Sequence, residues 1–223
     1  MGAIRVSARE GYALWADTWD LTPSPIVALE QRALKPWMAR LRPRLHAHRA
    51  VDVGCGTGRW TARLSAIGLD ASPAMLAMAA VKPGLRGRLA VADAAALPIA
   101  SSAAHLVLCA LTLGHVRDPF AAMRELARIL APGGTLLLTD FHPAAAALGW
   151  RRTFRRDGQV YELENYTYTV DQLRSAADLE LAECAEATIG EPERALFDAA
   201  RRPELFASAC RTPAVLLTRW VRR

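Results

Sequence analysis

Short apolar runs alternate along this chain with stretches of helical character, and residues of special backbone geometry mark the breaks between them. Ala50–Val53 is a brief apolar run with β-branched residues; glycines at 54, 56 and 58 close it, and the helix-compatible run Arg59–Ser65 follows. Leu89–Ala94 and Thr135–Thr139 read as further strands, and His105–Leu111 has the continuous apolar character of a parallel strand buried on both faces. Ser72-Pro73 and Asp118-Pro119 each pair a capping side chain with a first-turn proline, so a helix is expected after both. In the second helix Phe120, Met123, Ala127 and Leu130 form an apolar stripe, with Arg124, Glu125 and Arg128 toward solvent, until Ala131-Pro132-Gly133-Gly134 breaks it. Met75 and Met78 are read as core residues.

The two ends of the chain carry different patterns. Tyr12, Trp15 and Trp19 fall at i, i+3 and i+7 on one face of an aromatic segment. Ser24-Pro25 starts a second helix, which Pro36 kinks or restarts and which ends near Arg42-Pro43. Beyond residue 143 the pattern changes: Trp150, Phe154, Tyr161, Tyr166 and Tyr168 are interleaved with arginines, and Tyr161–Tyr168 alternates like a strand. Thr169 opens another helix, and Pro192–Cys210 is helical in character. Strands alternating with helices define an α/β, doubly wound Rossmann-like sheet, whose ligands lie beyond the carboxyl ends of the strands.

Composition adds limits. With 223 residues, 52% hydrophobic and 22% charged, the chain is most simply a single domain with a sizeable core. Its longest apolar stretch, around Ala103–Val116, is shorter than a membrane-spanning helix requires, and Met1–Glu10 has no signal-peptide core, so a cytoplasmic protein is expected. Of 28 basic residues only Lys35 and Lys82 are lysines, and the net charge is +6. The arginine pairs at 151–152, 155–156, 201–202 and 222–223 are read as solvated surface, with recognition of an acidic group as the other reading. Cys55, Cys109, Cys184 and Cys210 are far apart, which supports neither a metal site nor a disulfide framework.

The candidate chemistry begins at Asp52-Val53-Gly54-Cys55-Gly56-Thr57-Gly58. Glycines at alternate positions allow a tight turn with positive φ and close approach of a ligand to the backbone at a helix start. A dinucleotide fingerprint would need its third glycine at position 59, which is Arg59. The string instead resembles the first motif of class I S-adenosylmethionine (SAM) dependent methyltransferases, in a small-molecule group like that of quinone biosynthesis. Arg128–Gly134 is similar to the same family. The resemblance is specific from Val51 to Pro143.

The resemblance implies a seven-stranded, mostly parallel sheet completed by Leu179–Ile189 and Ala214–Trp220, the last strand inserted antiparallel. Residues 1–45 would form an N-terminal lid and helices, 46–143 the SAM-binding core, and 144–223 a substrate-facing insertion and the final strands. Asp52, Gly54, Gly56 and Gly58 would hold the methionine part of SAM, Asp70 the ribose and Asp93 the adenine, with Cys55, Thr57, Ala71, Ala94 and Cys109 also binding the cofactor. For Asp93 a helix N-cap is the competing reading. Only eleven residues separate Gly58 from Asp70, fewer than a parallel crossover normally uses, so either the helix between is about two turns or the strand is shortened.

At the reacting end, His142 is the candidate general base and His115 lies near the transfer site; packing roles are the alternative for both. Tyr12, Trp15, Trp19 and Tyr166 would meet a small, flat, partly apolar acceptor. No Asp/Asn-Pro-Pro-aromatic motif follows the strand at 105–111, which argues against a nucleobase amine and against nucleic acid as substrate. The product would be S-adenosylhomocysteine; no metal is implied, and a homodimer is left open. A SAM-binding partner without catalysis is the rival reading, with an RNA methyltransferase behind it.

Overall fold

The computed structural model describes residues 2–41 and 49–223. The expected helix end at Arg42-Pro43 and the boundary at 45/46 lie outside the described residues. Seven strands form the main sheet: β2 (Ala50–Val53), β3 (Ile67–Asp70), β4 (Leu89–Val91), β5 (Ala104–Ala110), β6 (Leu130–Phe141), β9 (Glu180–Thr188) and β10 (Pro213–Val221). Their order is β4-β3-β2-β5-β6-β10-β9, with β10 antiparallel to both neighbours and the first five strands parallel. The seven-stranded doubly wound expectation therefore holds.

Alternation along the central strands divides the core between two faces. Val107, Cys109, Leu136 and Leu138 point to one side with Met123, Leu126 and Ile129 of α5 (Pro119–Ile129) and Leu173 of α7 (Val170–Arg174). Leu106, Leu108 and Leu137 point to the other, against Leu29, Leu34 and Met38 of α2 (Pro25–Leu41) and against Phe197 and Phe206 of α8 (Arg194–Ala199) and α9 (Phe206–Ala209). Pro36 lies inside an uninterrupted α2.

The buried stripe of α5 is Pro119, Ala122, Met123, Leu126 and Ile129, so the expected stripe was displaced: Phe120 is exposed. Nor do Glu125 and Arg128 simply face solvent. Arg128 donates to the carbonyls of Leu97 and Ile99, and Glu125 accepts the Leu97 N–H at 2.7 Å, which ties the loop after β4 to the helix.

The short crossover closes because both of its parts are short. α3 (Arg59–Leu64) has six residues and ends at Ser65 in a left-handed conformation (φ 52°), and β3 has four. Gly68 lets β3 lie this close, since a Cβ there would come within 3 Å of Leu89, Cys55 and Thr61.

A second, smaller sheet was not foreseen. β1 (Ile4–Val6) pairs in parallel with β8 (Gln159–Leu163), which forms a hairpin with β7 (Thr153–Arg156). The strand expected over Tyr161–Tyr168 thus ends at Leu163. α1 (Ala8–Trp15) packs on this sheet through Trp15, which stacks on Phe154 at 4.6 Å between centroids. The aromatic segment is not one helix: α1 stops at Trp15, and Trp19 begins a 3-10 turn while still meeting Trp15 edge-on at 4.5 Å.

Candidate functional site

A cleft of about 430 Å3 opens at the carboxyl ends of β2, β3, β4 and β5, on one side of the point where strand order reverses, and α1 covers it. Its floor is the glycine loop. Gly54, Gly56 and Gly58 have φ of 71°, 55° and 82°, but each glycine is required for a different reason. A Cβ on Gly54 would lie 2.1 Å from Thr112 Cγ2, and one on Gly56 would face Met75 Cε into the cleft. Gly58 does not line the cleft; its Cβ would strike Leu85 Cδ1 at 2.3 Å, so it serves packing beneath the loop.

Asp70 ends β3 at the lip of the cleft. Gly56 N–H donates to its Oδ2 at 2.7 Å and Ser72 N–H to its Oδ1 at 2.8 Å, which fixes the carboxylate while each oxygen keeps a lone pair for a ligand. Burial raises its pKa, and the two N–H donors oppose that rise. Asp52 lines the base of the cleft, is buried and accepts Thr61 Oγ1 at 2.6 Å; burial pushes its pKa up to about 7 against the hydrogen bond and the Arg59 charge.

Cys55, Thr57, Ala71, Asp93 and Ala94 also line the cleft. Asp93 caps no helix: its Oδ1 accepts from Ala95 N–H in a tight turn, and the chain makes a bridge back to Ala96. Thr57 Oγ1 donates to Asp20 Oδ1 at 2.7 Å, and Lys82 Nζ meets the other Asp20 oxygen at 2.6 Å, so the segment after α1 is latched over the loop.

Several expected residues lie elsewhere. Cys109 is wholly buried on the α5 side of β5, while the cleft wall is formed by Ala110, Leu111 and Thr112 after it. Trp15 packs into the small sheet; Tyr12 and Trp19 reach the cleft. Tyr166 stands behind the wall, its N–H bonded to Gly114 O and its ring stacked with Tyr168. His142 is turned away: its Nδ1 accepts the Ala144 N–H at the start of α6 (Pro143–Ala147) and its Nε2 faces Glu186 Oε1 at 3.1 Å. The strand that bears it, β6, lies one step beyond the reversal point, and its end is occupied by contacts with β10 and β9. A general-base role for His142 in this cleft is therefore not supported by its position.

His115 is in the cleft, and its tautomer follows from its partners. Glu164 O, 3.0 Å from Nδ1, can only accept, so Nδ1 carries the proton. Nε2 then accepts from Tyr12 O–H at 2.9 Å and from Arg152 Nη1 at 3.1 Å. Desolvation and the Arg152 charge push its pKa down to about 3. Arg152 also donates to Leu111 O, and its Nη2 lies 3.5 Å from Asp140 Oδ1, while Asp140 accepts the N–H groups of Gly114 and Phe141. Leu111 itself has a φ of 55°, a strained conformation for leucine held at the cleft wall.

Sequence reasoning missed four participants. Met75 is both core and cleft lining. Thr112 had the signal of following a buried strand at its carboxyl end. Arg152 was one of eight arginines in four pairs, read first as solvated surface. Glu30, on α2, carried no site signal in the sequence, yet it is fully buried and gathers Arg59 at 2.7 Å, Trp60 Nε1 at 3.4 Å and Thr139 Oγ1 at 3.3 Å.

A doubly wound sheet with an acid-anchored glycine loop at its carboxyl edge defines a protein for nucleotide-type ligands. Residues 51–138 match the family described as Methyltransferase domain. A demethylmenaquinone methyltransferase of Thermus thermophilus is 36% identical over 48% of this chain and 55% of its own length. A ubiquinone biosynthesis O-methyltransferase of Xanthomonas oryzae is 34% identical over 66% of each chain. The chain spans about half the length of several of the curated relatives it matches. A crystal structure of an S-adenosylmethionine dependent methyltransferase from Mesorhizobium loti superposes with a TM-score of 0.58 at 24% identity, covering 82% of this chain and 96% of that one. The chain belongs to the class I SAM-dependent methyltransferases. Among the described residues no helix is long and apolar enough to cross a membrane.

Proposed function

We propose that this protein transfers a methyl group from SAM to a small-molecule acceptor at oxygen or carbon. The observation that carries the reading is the Asp70 carboxylate, held on two backbone N–H groups beside a positive-φ glycine loop within the stretch that matches the family. In this reading Asp70 and Ala71 bind the ribose and Asp93 and Ala94 the adenine. Gly54 and Gly56, with Cys55 and Thr57, bind the methionine part; Asp52 and Gly58 support them from below. SAM supplies a methyl group on a sulfonium whose positive charge vanishes on transfer, so an apolar, closed site favours reaction.

The rest of the work falls to the chain. Tyr12 and Trp19 exclude water from above, with the latch at Asp20 holding them there. Neutral His115 orients Tyr12 and Arg152, so we assign it positioning rather than proton removal. The aromatic lining from residues 1–21 and the arginine-bearing segment after residue 143 would together meet the acceptor, whose flat, partly apolar character is our inference from that lining. Calorimetric titration with SAM, S-adenosylhomocysteine and NAD tests the reading. The first two should bind and NAD should not, and Asp70→Ala should weaken both by roughly tenfold or more. Absence of SAM binding in the wild type refutes it.

A further inference from the structure

Behind the main cleft lies a side chamber of about 230 Å3 lined by Arg5, Arg151, Arg152, Glu162, Asn165, Phe141 and Trp150. Arg152 belongs to the linings of both cavities. Its Nη1 is committed to Tyr12, His115 and Leu111. Its Nε and Nη2, however, are fully buried without a hydrogen-bond acceptor among the described residues, and Asp140 offers Nη2 only a long ion pair at 3.5 Å. A buried guanidinium with two free N–H edges is costly unless an oxyanion completes it, and that pair of donors has the geometry of a carboxylate.

The surroundings agree in charge and shape. Three arginines line the chamber, against Glu162, which sits 3.9 Å from Arg151 Nε, and Asp140, 3.5 Å from Arg152 Nη2. The Oδ1 of Asn165, also buried and without a donor, awaits an O–H or N–H group on the same ligand. Phe141 and Trp150, with ring centroids 6.5 Å apart, supply an apolar wall.

We infer that the side chamber is a carboxylate subsite: it seats the acid group of an aromatic hydroxy acid or related acceptor on Arg152, with the rest of that acceptor reaching the main cleft. The inference rests on the methyltransferase reading for the acceptor's role, whereas the subsite itself rests on the chamber alone. Mandelate is a suitable probe, because it carries a carboxylate, a neighbouring hydroxyl and a phenyl ring; mandelamide is its neutral counterpart.

Calorimetry on the protein saturated with S-adenosylhomocysteine should show mandelate binding roughly tenfold or more tightly than mandelamide. Arg152→Gln should remove the preference. Arg5→Gln, outside the main cleft, should reduce it while leaving S-adenosylhomocysteine affinity unchanged. Equal affinity for acid and amide, no binding of mandelate at 10 mM (roughly the weakest affinity worth measuring), or an unchanged preference in Arg152→Gln overturns the subsite. A preference for mandelate in a protein that fails to bind S-adenosylhomocysteine would overturn the methyltransferase reading and leave the subsite standing.

Discussion

His115 gives the clearest quantitative expectation. Its Nδ1–H is spent on Glu164 O, and its Nε2 accepts from Tyr12 and Arg152, so a second proton would break both contacts and set a cation beside a guanidinium. Burial first, and then the Arg152 charge, push the pKa of the ring down to about 3 from the ordinary 6.5, against the hydrogen bond to Glu164 O. In the unfolded chain the ring protonates below 6.5, whereas in the folded chain it stays neutral. Its contribution to stability is therefore complete above 6.5 and is lost as pH falls from 6.5 toward 3. Taking those two values, the loss at pH 5.0 relative to pH 7.5 is about 2 kcal/mol. Urea unfolding of the wild type and of His115→Gln at both pH values measures it. Glutamine keeps one donor and one acceptor but does not titrate, and every other titrating group is shared, so it cancels in the difference of differences. The wild type should lose about 2 kcal/mol more than the variant, a shift of roughly 1 M in urea midpoint. Equal losses in the two proteins would refute the assigned tautomer and its network.

Other expectations follow from the loop and its floor. Asp52 has a folded pKa of about 7 against 3.8 unfolded, so the folded state holds the extra proton and stability falls as pH rises from about 4 to 7; Asp52→Asn should remove about 3 kcal/mol of that dependence between pH 4.5 and 7.5, read by urea unfolding at those two values. Gly58→Ala and Gly84→Ala share a positive φ of 82° and 77°, but a methyl at 84 meets nothing within 4 Å while one at 58 strikes Leu85. Thermal unfolding should show a cost of about 1 kcal/mol at 84 and roughly 1–3 kcal/mol more at 58; equal costs would mean that the clash is absorbed without strain.

What could be read from the chain beforehand followed the range of the signals. Strand β5, the caps at Ser72 and Asp118 and the turn at Gly54–Gly58 are dictated by neighbours within a few residues, and they appear where expected. The α5 stripe slipped because the buried face begins at Pro119 and runs through Ala122, Met123, Leu126 and Ile129, which turns Phe120, one position on, toward solvent. His115 and His142 looked equivalent, each following a strand at its carboxyl end. What separates them is strand order, which sends β6 toward β10 and Glu186, and no local pattern carries that information. The pairing of Ile4–Val6 with Tyr161–Leu163 joins segments far apart in the chain, and no local pattern distinguishes Arg152, which lines the cleft, from its neighbour Arg151, which does not.

The small sheet has a consequence for how the molecule opens. β1, β7, β8 and α1 bury their own cluster around Trp15, Phe154 and Leu163, separate from the two cores of the main sheet. Side chains that tie them to the body are the Asp20 latch and the hub at His115 and Arg152, while Arg156 on Asp17 fastens the small sheet to the end of α1. Such a unit can detach as a whole at a free energy well below that of global unfolding. The amides of β8 and α1 would then exchange together, ahead of those of β5 and β6, and the cleft would be exposed each time without any loss of order in the sheet that bears the glycine loop. Because one strand of that unit comes from Ile4–Val6 and its partner from Gln159–Leu163, such opening would move segments some 150 residues apart in the chain together.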